Sequence, residues 1–250
     1  MSRVWDALAI QSLRSGEPEL AYSYYMESLY QRSIQVGLRN VNSRGVNFLK
    51  VDLWNEGIAF KTNILRMYET DKNYHLYGID ISRVVCLRAK SKMRNVQIVQ
   101  ATIENLPFKA CFFDMILDLS TSDHVSEDRA MNALQEYERT LAKDGIMVLA
   151  FSCMGVGTAV KRVFRKKRDH PRQSYFFSQW FVGNAKRVFN VLDEYRAGTL
   201  LDFAAVFDRL PRHLRDSLLN SFLALELSKI SRAMLGILGG FHIIIGAKRD

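Results

Sequence analysis

The chain has 250 residues and a mass of 28.8 kDa, a length that suits one large domain or one domain with a cap. Its 48% hydrophobic and 24% charged residues are typical of a globular protein and exclude a disordered or fibrous chain. The formal net charge is +9, but residues 161–172 alone hold seven basic residues and one acidic residue. The basic excess is therefore mostly local, and it indicates an anionic partner for that segment only.

The three cysteines, Cys86, Cys111 and Cys153, are far apart and form no C-x-x-C pair, which excludes a disulfide framework and a cysteine-built zinc site. The N-terminus lacks the apolar core of a secretory signal. The most apolar stretch, residues 233–247, is shorter than the ~20 residues that a membrane-spanning helix needs. We therefore expect a cytoplasmic protein with no transmembrane segment and no metal site.

Residues 1–45 predict a helical N-terminal cap, in which residues 19–37 are amphipathic and rich in tyrosine. Short apolar runs with many β-branched residues then recur along the rest of the chain. These runs predict seven strands, at residues 46–53, 75–80, 96–100, 113–119, 145–151, 188–195 and 241–247.

Segments with helical spacing separate the first five strands, at residues 58–69, 82–93 and 126–141. Ser82 and Ser126 are the expected N-caps, and Asp144-Gly145 is the expected stop after the third segment. Residues 200–235 predict a further helix, broken near Pro211. Alternating strands and helices favour an α/β domain over residues 46–250, with a parallel sheet covered on both faces and a basic and aromatic insertion at residues 152–187.

Ligands bind outside the carboxyl ends of the strands in an open parallel sheet, so the residues that follow each strand are the candidates for a site. Asp80 ends the second strand, where its carboxylate is placed to accept hydrogen bonds from two ribose hydroxyls. The alternative role for Asp80 is a favourable charge at the start of the next helix.

Four segments are similar in sequence and spacing to the class I S-adenosylmethionine-dependent methyltransferases: residues 78–82, 101–108, 113–125 and 141–145. This resemblance covers about residues 46–151, and residues 241–249 look like the family's antiparallel seventh strand. It implies a Rossmann-like, seven-stranded, mostly parallel sheet whose last strand is antiparallel. It also implies S-adenosylmethionine as the cofactor.

The chain departs from the family at the glycine-rich turn after the first strand, where residues 50–57 read KVDLWNEG with a single glycine, Gly57. Two registers place either Lys50 or Asp52 at the family's acidic position, and we prefer Asp52. Asp52 or Glu56 would then hold the ammonium group of the cofactor. The chain has no G-x-G-x-x-G motif, which disfavours a nicotinamide-dependent dehydrogenase.

The resemblance also implies roles for the other strand ends. Beside Asp80, the cofactor would contact Ile81, the Thr102 hydroxyl, the Ile103 backbone N–H and Asp118. His124 and Asp123, in the loop after the fourth strand, are the candidates for a catalytic base.

The segments outside this core are expected to select the substrate, through Tyr25 of the cap and Arg165 and Trp180 of the insertion. The leading hypothesis is methyl transfer to a small molecule, anionic or lipid-like in character. One alternative is an RNA methyltransferase that uses residues 161–172, a segment that also suits an anionic membrane surface. The other is a catalytically inert binding or assembly module with the same fold.

Overall fold

The computed structural model describes residues 2–15, 21–42, 45–58, 63–153, 177–199, 207–228 and 239–249. Two helices open the chain, α1 (Ser2–Ser15) and α2 (Ala21–Leu38). The strands are β1 (Val46–Val51), β2 (Tyr74–Asp80), β3 (Val96–Gln100), β4 (Phe113–Leu119), β5 (Leu141–Ser152), β6 (Phe189–Ala197) and β7 (Phe241–Lys248). The helices after β1 are α3 (Trp54–Gly57), α4 (Ile64–Tyr68), α5 (Arg83–Lys92), α6 (Glu127–Thr140), α7 (Phe177–Val188) and α8 (Arg212–Glu226).

The seven strands form one sheet in the order β3-β2-β1-β4-β5-β7-β6. Strands β1 to β5 pair in parallel, whereas β7 runs antiparallel to both β5 and β6. The Rossmann-like sheet with an antiparallel last strand, predicted from the sequence, is therefore confirmed. The order of strands reverses between β1 and β4, and a crevice at that point is the usual ligand site of such sheets.

Apolar side chains on the two faces of the sheet form two separate clusters. One cluster joins the sheet to α2, α5 and α8, and its largest fully buried side chains include Tyr25 and Phe48. The other joins the opposite face to α6 and α7 through Tyr137 and Phe181. Because both faces are covered, the central strands read as continuous apolar runs rather than alternating ones.

Local signals set the ends of several elements, with boundaries that differ slightly from those predicted. Ser82 caps α5 by accepting a hydrogen bond of 3.2 Å from the Val85 N–H, as its position predicts. Helix α6 ends at Thr140, and β5 begins at the next residue, so Asp144-Gly145 lies inside the strand and does not end the helix. Residues 154–176, most of the predicted insertion, lie outside the described residues.

Candidate cofactor and active site

The carboxyl ends of β1, β2 and β4 meet at the edge of the sheet where the strand order reverses. Asp80 closes β2 at this edge and is 8% exposed. Its Oδ2 accepts a hydrogen bond of 2.8 Å from the Leu53 N–H, and its Oδ1 accepts one of 2.7 Å from the Ser82 N–H. A carboxylate has about four acceptor positions, so each oxygen keeps one for a ligand.

The charge on Asp80 is held in an unfavourable environment. Burial raises the pKa of this carboxyl to about 7, and the charge on Asp52 adds to the effect. Asp52 lies in the turn after β1, where its Oδ1 accepts a hydrogen bond of 2.7 Å from the Trp54 N–H. The two carboxylates thus hold consecutive N–H groups of the same turn, Leu53 and Trp54, and lie close together.

A buried ion pair organises this turn in place of the missing glycines. The Lys50 Nζ lies 2.9 Å from Glu56 Oε2, and the two side chains are 3% and 0% exposed. Lys50 also donates to the Asp52 carbonyl oxygen. Burial lowers the pKa of Lys50, but the Glu56 and Asp52 carboxylates outweigh it and leave the pKa raised, so Lys50 stays charged.

The backbone of the turn bears on which register matches the family. Asp52 has φ 65°, in the left-handed region that glycine adopts without strain. A glycine would suit this conformation, but the partly exposed carboxylate keeps Asp52 the candidate for the ammonium group, and the preferred register stays a prediction. The Glu56 carboxylate is held in its ion pair with Lys50. A Cβ added at Gly57 would lie 2.7 Å from the Val85 carbonyl oxygen, so this glycine serves the packing of α3 on α5.

The loop after β3 presents a turn closed by a bridge between Thr102 and Asn105. The Thr102 hydroxyl bonds to the Glu104 carboxylate, which also pairs with Arg129 of α6. These bonds lower the pKa of Glu104 although burial opposes them, so Glu104 is ionised and fixed. Ile103 is 7% exposed and gives this side of the site an apolar wall.

Ile81 follows Asp80 directly, and its carbonyl oxygen accepts a hydrogen bond of 3.0 Å from the Gln100 amide. The predicted nucleoside-binding residues Asp80, Ile81, Thr102 and Ile103 therefore lie at the adjoining ends of β2 and β3. Their arrangement suits a ligand that lies across these two strand ends.

Asp118 serves the fold rather than the open side of the site. It is 1% exposed and accepts hydrogen bonds from the Thr121 and Ser122 N–H groups, the Ser122 hydroxyl and the Tyr137 hydroxyl. Burial raises the pKa of Asp118 despite these donors. The predicted contact with the cofactor would require Asp118 to give up at least part of this network.

Asp123 and His124 lie in the loop after β4, as predicted, but in different settings. Asp123 is 6% exposed and accepts from the Ser120 hydroxyl and, at 2.9 Å, from the Ser152 N–H at the end of β5. His124 is 34% exposed, with its Nε2 3.9 Å from Asp123 Oδ1. Only His124 is therefore accessible, and Asp123 stands behind it as a fixed negative charge.

The predicted substrate residue Tyr25 lies in the interior, 1% exposed. Its hydroxyl donates to Glu226 of α8 and accepts a hydrogen bond of 3.0 Å from the Gly198 N–H at the end of β6. These contacts make Tyr25 an anchor between α2, α8 and the sheet.

Replacing Tyr25 with phenylalanine tests this structural role. The variant leaves the buried Gly198 N–H without its acceptor. We therefore expect its free energy of unfolding, measured in a urea titration, to be lower than that of the wild type by about 1–3 kcal/mol. Ligand affinity at the strand ends should stay unchanged. A variant with full stability and weakened ligand binding would instead place Tyr25 in the site.

The other two predicted substrate residues belong to the region that follows β5. Trp180 lies on α7, where it packs partly buried against the cluster beneath α6 and α7. Arg165 and the rest of the basic segment at residues 161–172 fall outside the described residues.

Sequence reasoning missed three contributors to this edge of the sheet. Lys50 is only a register alternative in the sequence, because its burial beside Glu56 is set by tertiary packing. Tyr30 of α2 is buried; burial raises its pKa, and the neighbouring charges, including those of Asp123 and Asp52, raise it further. The third is the Trp5-Asp6 pair of α1, which contacts the rim and left no signal in the sequence.

Comparisons with known proteins fit this geometry. Residues 41–149 match the family described as a methyltransferase domain. This match covers less than half of the chain and supports the class I S-adenosylmethionine-dependent methyltransferase family for that part. Over 100 residues it is 33% identical to the ubiquinone/menaquinone biosynthesis C-methyltransferase UbiE of Campylobacter jejuni, an alignment that covers 40% of this chain and 38% of the relative. The chain thus matches well under half the length of its curated relatives.

Solved structures agree on the methyltransferase fold. A protein of Galdieria sulphuraria described as a sarcosine dimethylglycine methyltransferase aligns with TM-score 0.58 and 14% identity, over 88% of this chain and 85% of that one. A methyltransferase-fold protein of Haloferax volcanii, solved with the Trm112 methyltransferase activator, aligns with TM-score 0.57 and 15% identity over 98% and 97%. At these identities the likeness establishes the fold alone.

The family implies S-adenosylmethionine as the cofactor, and the residues present fit its nucleoside half. The free acceptor positions on Asp80 suit the two ribose hydroxyls, and the ends of β2 and β3 offer an apolar wall for the adenine. On the methionine side, Asp52 is the partly exposed carboxylate of the turn, while Glu56 is fully buried.

In the part of the chain that the structure describes, none of the helices combines the length and the apolar character that a membrane span requires.

Proposed function

We propose that this protein transfers a methyl group from S-adenosylmethionine to a small-molecule acceptor. The observation that supports this most is the placement of Asp80: a buried carboxylate at the end of β2, beside the reversal of strand order, with acceptor positions left for a diol. In a family whose shared chemistry is methyl transfer, this is the group on which nucleoside binding depends.

Each part of the cofactor has a candidate partner in this chain. Asp80 would accept from the ribose hydroxyls, with Ile81 beside it, and the Thr102 hydroxyl and Ile103 N–H would face the adenine. Asp52, partly exposed in the turn after β1, would hold the ammonium group. When bound, the cofactor supplies a methyl group on a cationic sulfur, ready for in-line displacement, so the protein's main task is positioning and exclusion of water.

His124 is the proposed base for an acceptor that must lose a proton. Its ring is partly exposed at the mouth, and its Nε2 lies 3.9 Å from Asp123 Oδ1. A proton taken from the acceptor would form an imidazolium, which the buried Asp123 carboxylate stabilises by charge. Asp123 is itself fixed by Ser120 and the Ser152 N–H, so it holds this charge in place and does not approach the acceptor.

We propose a small anionic or lipid-like molecule as the acceptor, with the basic residues 161–172 contributing to its selection. An RNA acceptor would use the same basic residues through phosphate contacts, and its binding would weaken steeply as salt is raised. Charge reversal at residues 165–168 tests the RNA alternative, since RNA binding that survives the reversal would rule out the segment as an RNA site.

Cofactor affinity should depend on pH in the neutral range. The pKa of Asp80 is raised to about 7 by burial and by Asp52, so Asp80 gains a proton as the pH falls through that value. Protonation removes the negative charge and one acceptor position from the ribose site. We expect S-adenosylhomocysteine to bind about tenfold more weakly at pH 6 than at pH 8. An affinity that is flat between these values in calorimetric titrations would exclude Asp80 as the group that binds the ribose.

The proposed activity is tested by supplying methyl-labelled S-adenosylmethionine together with a small-molecule extract depleted of nucleic acid and protein. We expect label in products below about 1 kDa and stoichiometric release of S-adenosylhomocysteine, and we expect both to be lost in the Asp80→Ala variant. Label that enters only RNA in a parallel reaction would contradict the small-molecule acceptor and support the alternative.

A second candidate function is a catalytically inert binding module. The Lys50–Glu56 pair favours it, because two long side chains occupy a turn in which the family has glycines. Failure of S-adenosylmethionine and S-adenosylhomocysteine to bind at millimolar concentration would favour this candidate, and cofactor that copurifies with the protein would exclude its strongest form, a module that binds no cofactor.

A further inference from the structure

A polar cavity lies between α2, α8 and β6, outside the candidate active site. Its volume is about 580 Å³, which falls in the range of small-molecule sites. Strand β6 is at one edge of the sheet, and β4, β5 and β7 separate it from β1. At a spacing of about 4.8 Å between strands, β6 lies roughly 19 Å from β1. The cavity is therefore remote from the strand ends at which the cofactor is proposed to bind.

The walls of this cavity are fixed by contacts between its three elements. Asn220 of α8 donates a hydrogen bond of 2.7 Å to the Tyr24 hydroxyl of α2. Tyr195 of β6 shares a hydrogen bond of 2.7 Å with the buried Ser33 hydroxyl of α2. Since each contact joins α2 to a different element, the cavity is formed before any ligand arrives.

Two arginines of α2 line this cavity, and they lie on the same face of the helix. Arg32 and Arg39 are seven residues apart, which places them about 10 Å from each other along the helix axis. Gln35 lies between them on that face. The side chains of Arg32, Gln35 and Arg39 thus form a row of hydrogen-bond donors along one wall.

The charge of these arginines is not balanced within the part of the chain that the structure describes. Neither guanidinium pairs with a carboxylate there, and none of the described lining residues is acidic. Arg32 is also partly buried. A guanidinium cannot escape the cost of burial by losing its proton, so an anion in the cavity would be strongly favoured.

Neutral donors beside the arginines indicate which kind of anion fits. Tyr24 accepts from Asn220, so its own hydroxyl proton remains for a ligand. The Ser28 hydroxyl lines the same wall and has no partner among the described residues. One guanidinium already satisfies both oxygens of a carboxylate, whereas a phosphate monoester has three terminal oxygens and two negative charges. Two arginines with additional neutral donors therefore match a phosphate better than a carboxylate.

We propose that this cavity is a second binding site, specific for a small soluble molecule that carries a phosphate monoester. Arg32 and Arg39 bind the phosphate oxygens, and Tyr24 and Ser28 donate to the same group or to the polar body of the ligand. The donors line a cavity walled by three elements, which suits a compact ligand better than an extended nucleic-acid backbone. Binding here is independent of methyl transfer.

Calorimetric titration of the full chain with glucose 6-phosphate, glycerol 3-phosphate and inorganic phosphate at about 0.15 M salt tests this site. We expect at least one of them to bind at one site per chain with a dissociation constant below about 1 mM, and glucose not to bind. Arg32→Gln and Arg39→Gln should each weaken binding by at least about tenfold, because each removes charge-assisted hydrogen bonds. Arg88→Gln, an exposed arginine of α5, is the matched control and should leave the affinity unchanged.

A further variant separates the cavity from the charge. Ser28→Trp fills the cavity while both arginines remain, and we expect it to weaken binding as much as either arginine variant does. Wild-type affinity in Ser28→Trp would overturn the proposal, because the anion would then lie on the outer surface of α2.

Other outcomes would also overturn this second site, and none of them bears on the proposed methyl transfer. They are no binding of any of the three phosphates at about 10 mM, equal losses in Arg88→Gln and Arg32→Gln, and displacement of the phosphate by S-adenosylhomocysteine. Binding only to vesicles that contain phosphatidic acid would assign the phosphate to a lipid headgroup and exclude a soluble ligand. Failure of S-adenosylhomocysteine to bind would count against the proposed function alone.

Discussion

Replacing Asp80 with alanine is expected to weaken S-adenosylhomocysteine binding by about 100-fold or more. The variant loses two charge-assisted hydrogen bonds to the ribose, each worth about 1.5–3 kcal/mol. It also strips the Leu53 and Ser82 N–H groups of their acceptor, so the turn after β1 and the start of α5 lose their shared anchor. Isothermal titration of the folded variant measures the change.

Asp114 provides the matched control for Asp80. It accepts a hydrogen bond of 2.8 Å from the Asn47 N–H, at the amino ends of β1 and β4 and so at the far end of these strands from the candidate site. Asp114→Ala should therefore reduce stability without changing ligand affinity. If both variants lose affinity equally, the effect of Asp80 is one of general stability; if Asp80→Ala binds as tightly as the wild type, the ribose assignment is wrong.

Breaking the Lys50–Glu56 pair should cause the largest loss of stability of any single charge removal among the described residues. Lys50→Met leaves the fully buried Glu56 carboxylate without its partner, and we expect a loss of about 3–5 kcal/mol in the free energy of unfolding. The double variant Lys50→Met, Glu56→Leu removes both charges and should recover most of that loss. Urea titrations of the single and double variants give the coupling between the two residues directly.

An exposed pair serves as the comparison for this experiment. Arg212 and Asp216 on α8 lie 3.6 Å apart with Arg212 65% exposed, and Arg212→Met should cost no more than about 1 kcal/mol. A loss in Lys50→Met as small as that in Arg212→Met would mean that the buried pair does not hold the turn.

The framework of the sheet was predictable because it follows from local patterns. Each of the seven predicted strands overlaps an observed one, since buried parallel strands leave continuous runs of β-branched and aromatic residues. Boundaries were less well defined where no punctuating residue marks them. At Thr140–Leu141 a helix passes straight into a strand, so Asp144-Gly145 was mistaken for the stop.

The site was predictable only where position along the chain determines position in space. Asp80, Thr102 and His124 follow strands directly, so the topology of a parallel sheet places them at one edge. Asp118 and Tyr25 have equally suggestive positions, yet their partners, Tyr137 at 19 residues and Glu226 at 201 residues along the chain, turn them inward. No local pattern records such pairings.

The turn after β1 and the contacts of α1 could not be read from the sequence for a related reason. The choice between registers depends on the left-handed backbone of Asp52 and on the burial of Lys50 beside Glu56, and both are set by tertiary packing. The docking of Asp6 on Ser82 joins residues 76 positions apart. These are also the features in which this chain departs most from the glycine-rich turn of its family.

The most direct test of the account is a calorimetric titration of the wild-type protein with S-adenosylmethionine and S-adenosylhomocysteine at pH 8. We predict saturable binding of both with one site per chain, reduced by about 100-fold in Asp80→Ala and unchanged in Asp114→Ala. Failure of both compounds to bind at millimolar concentration would contradict the account, because a methyltransferase that cannot hold its cofactor has no chemistry to perform.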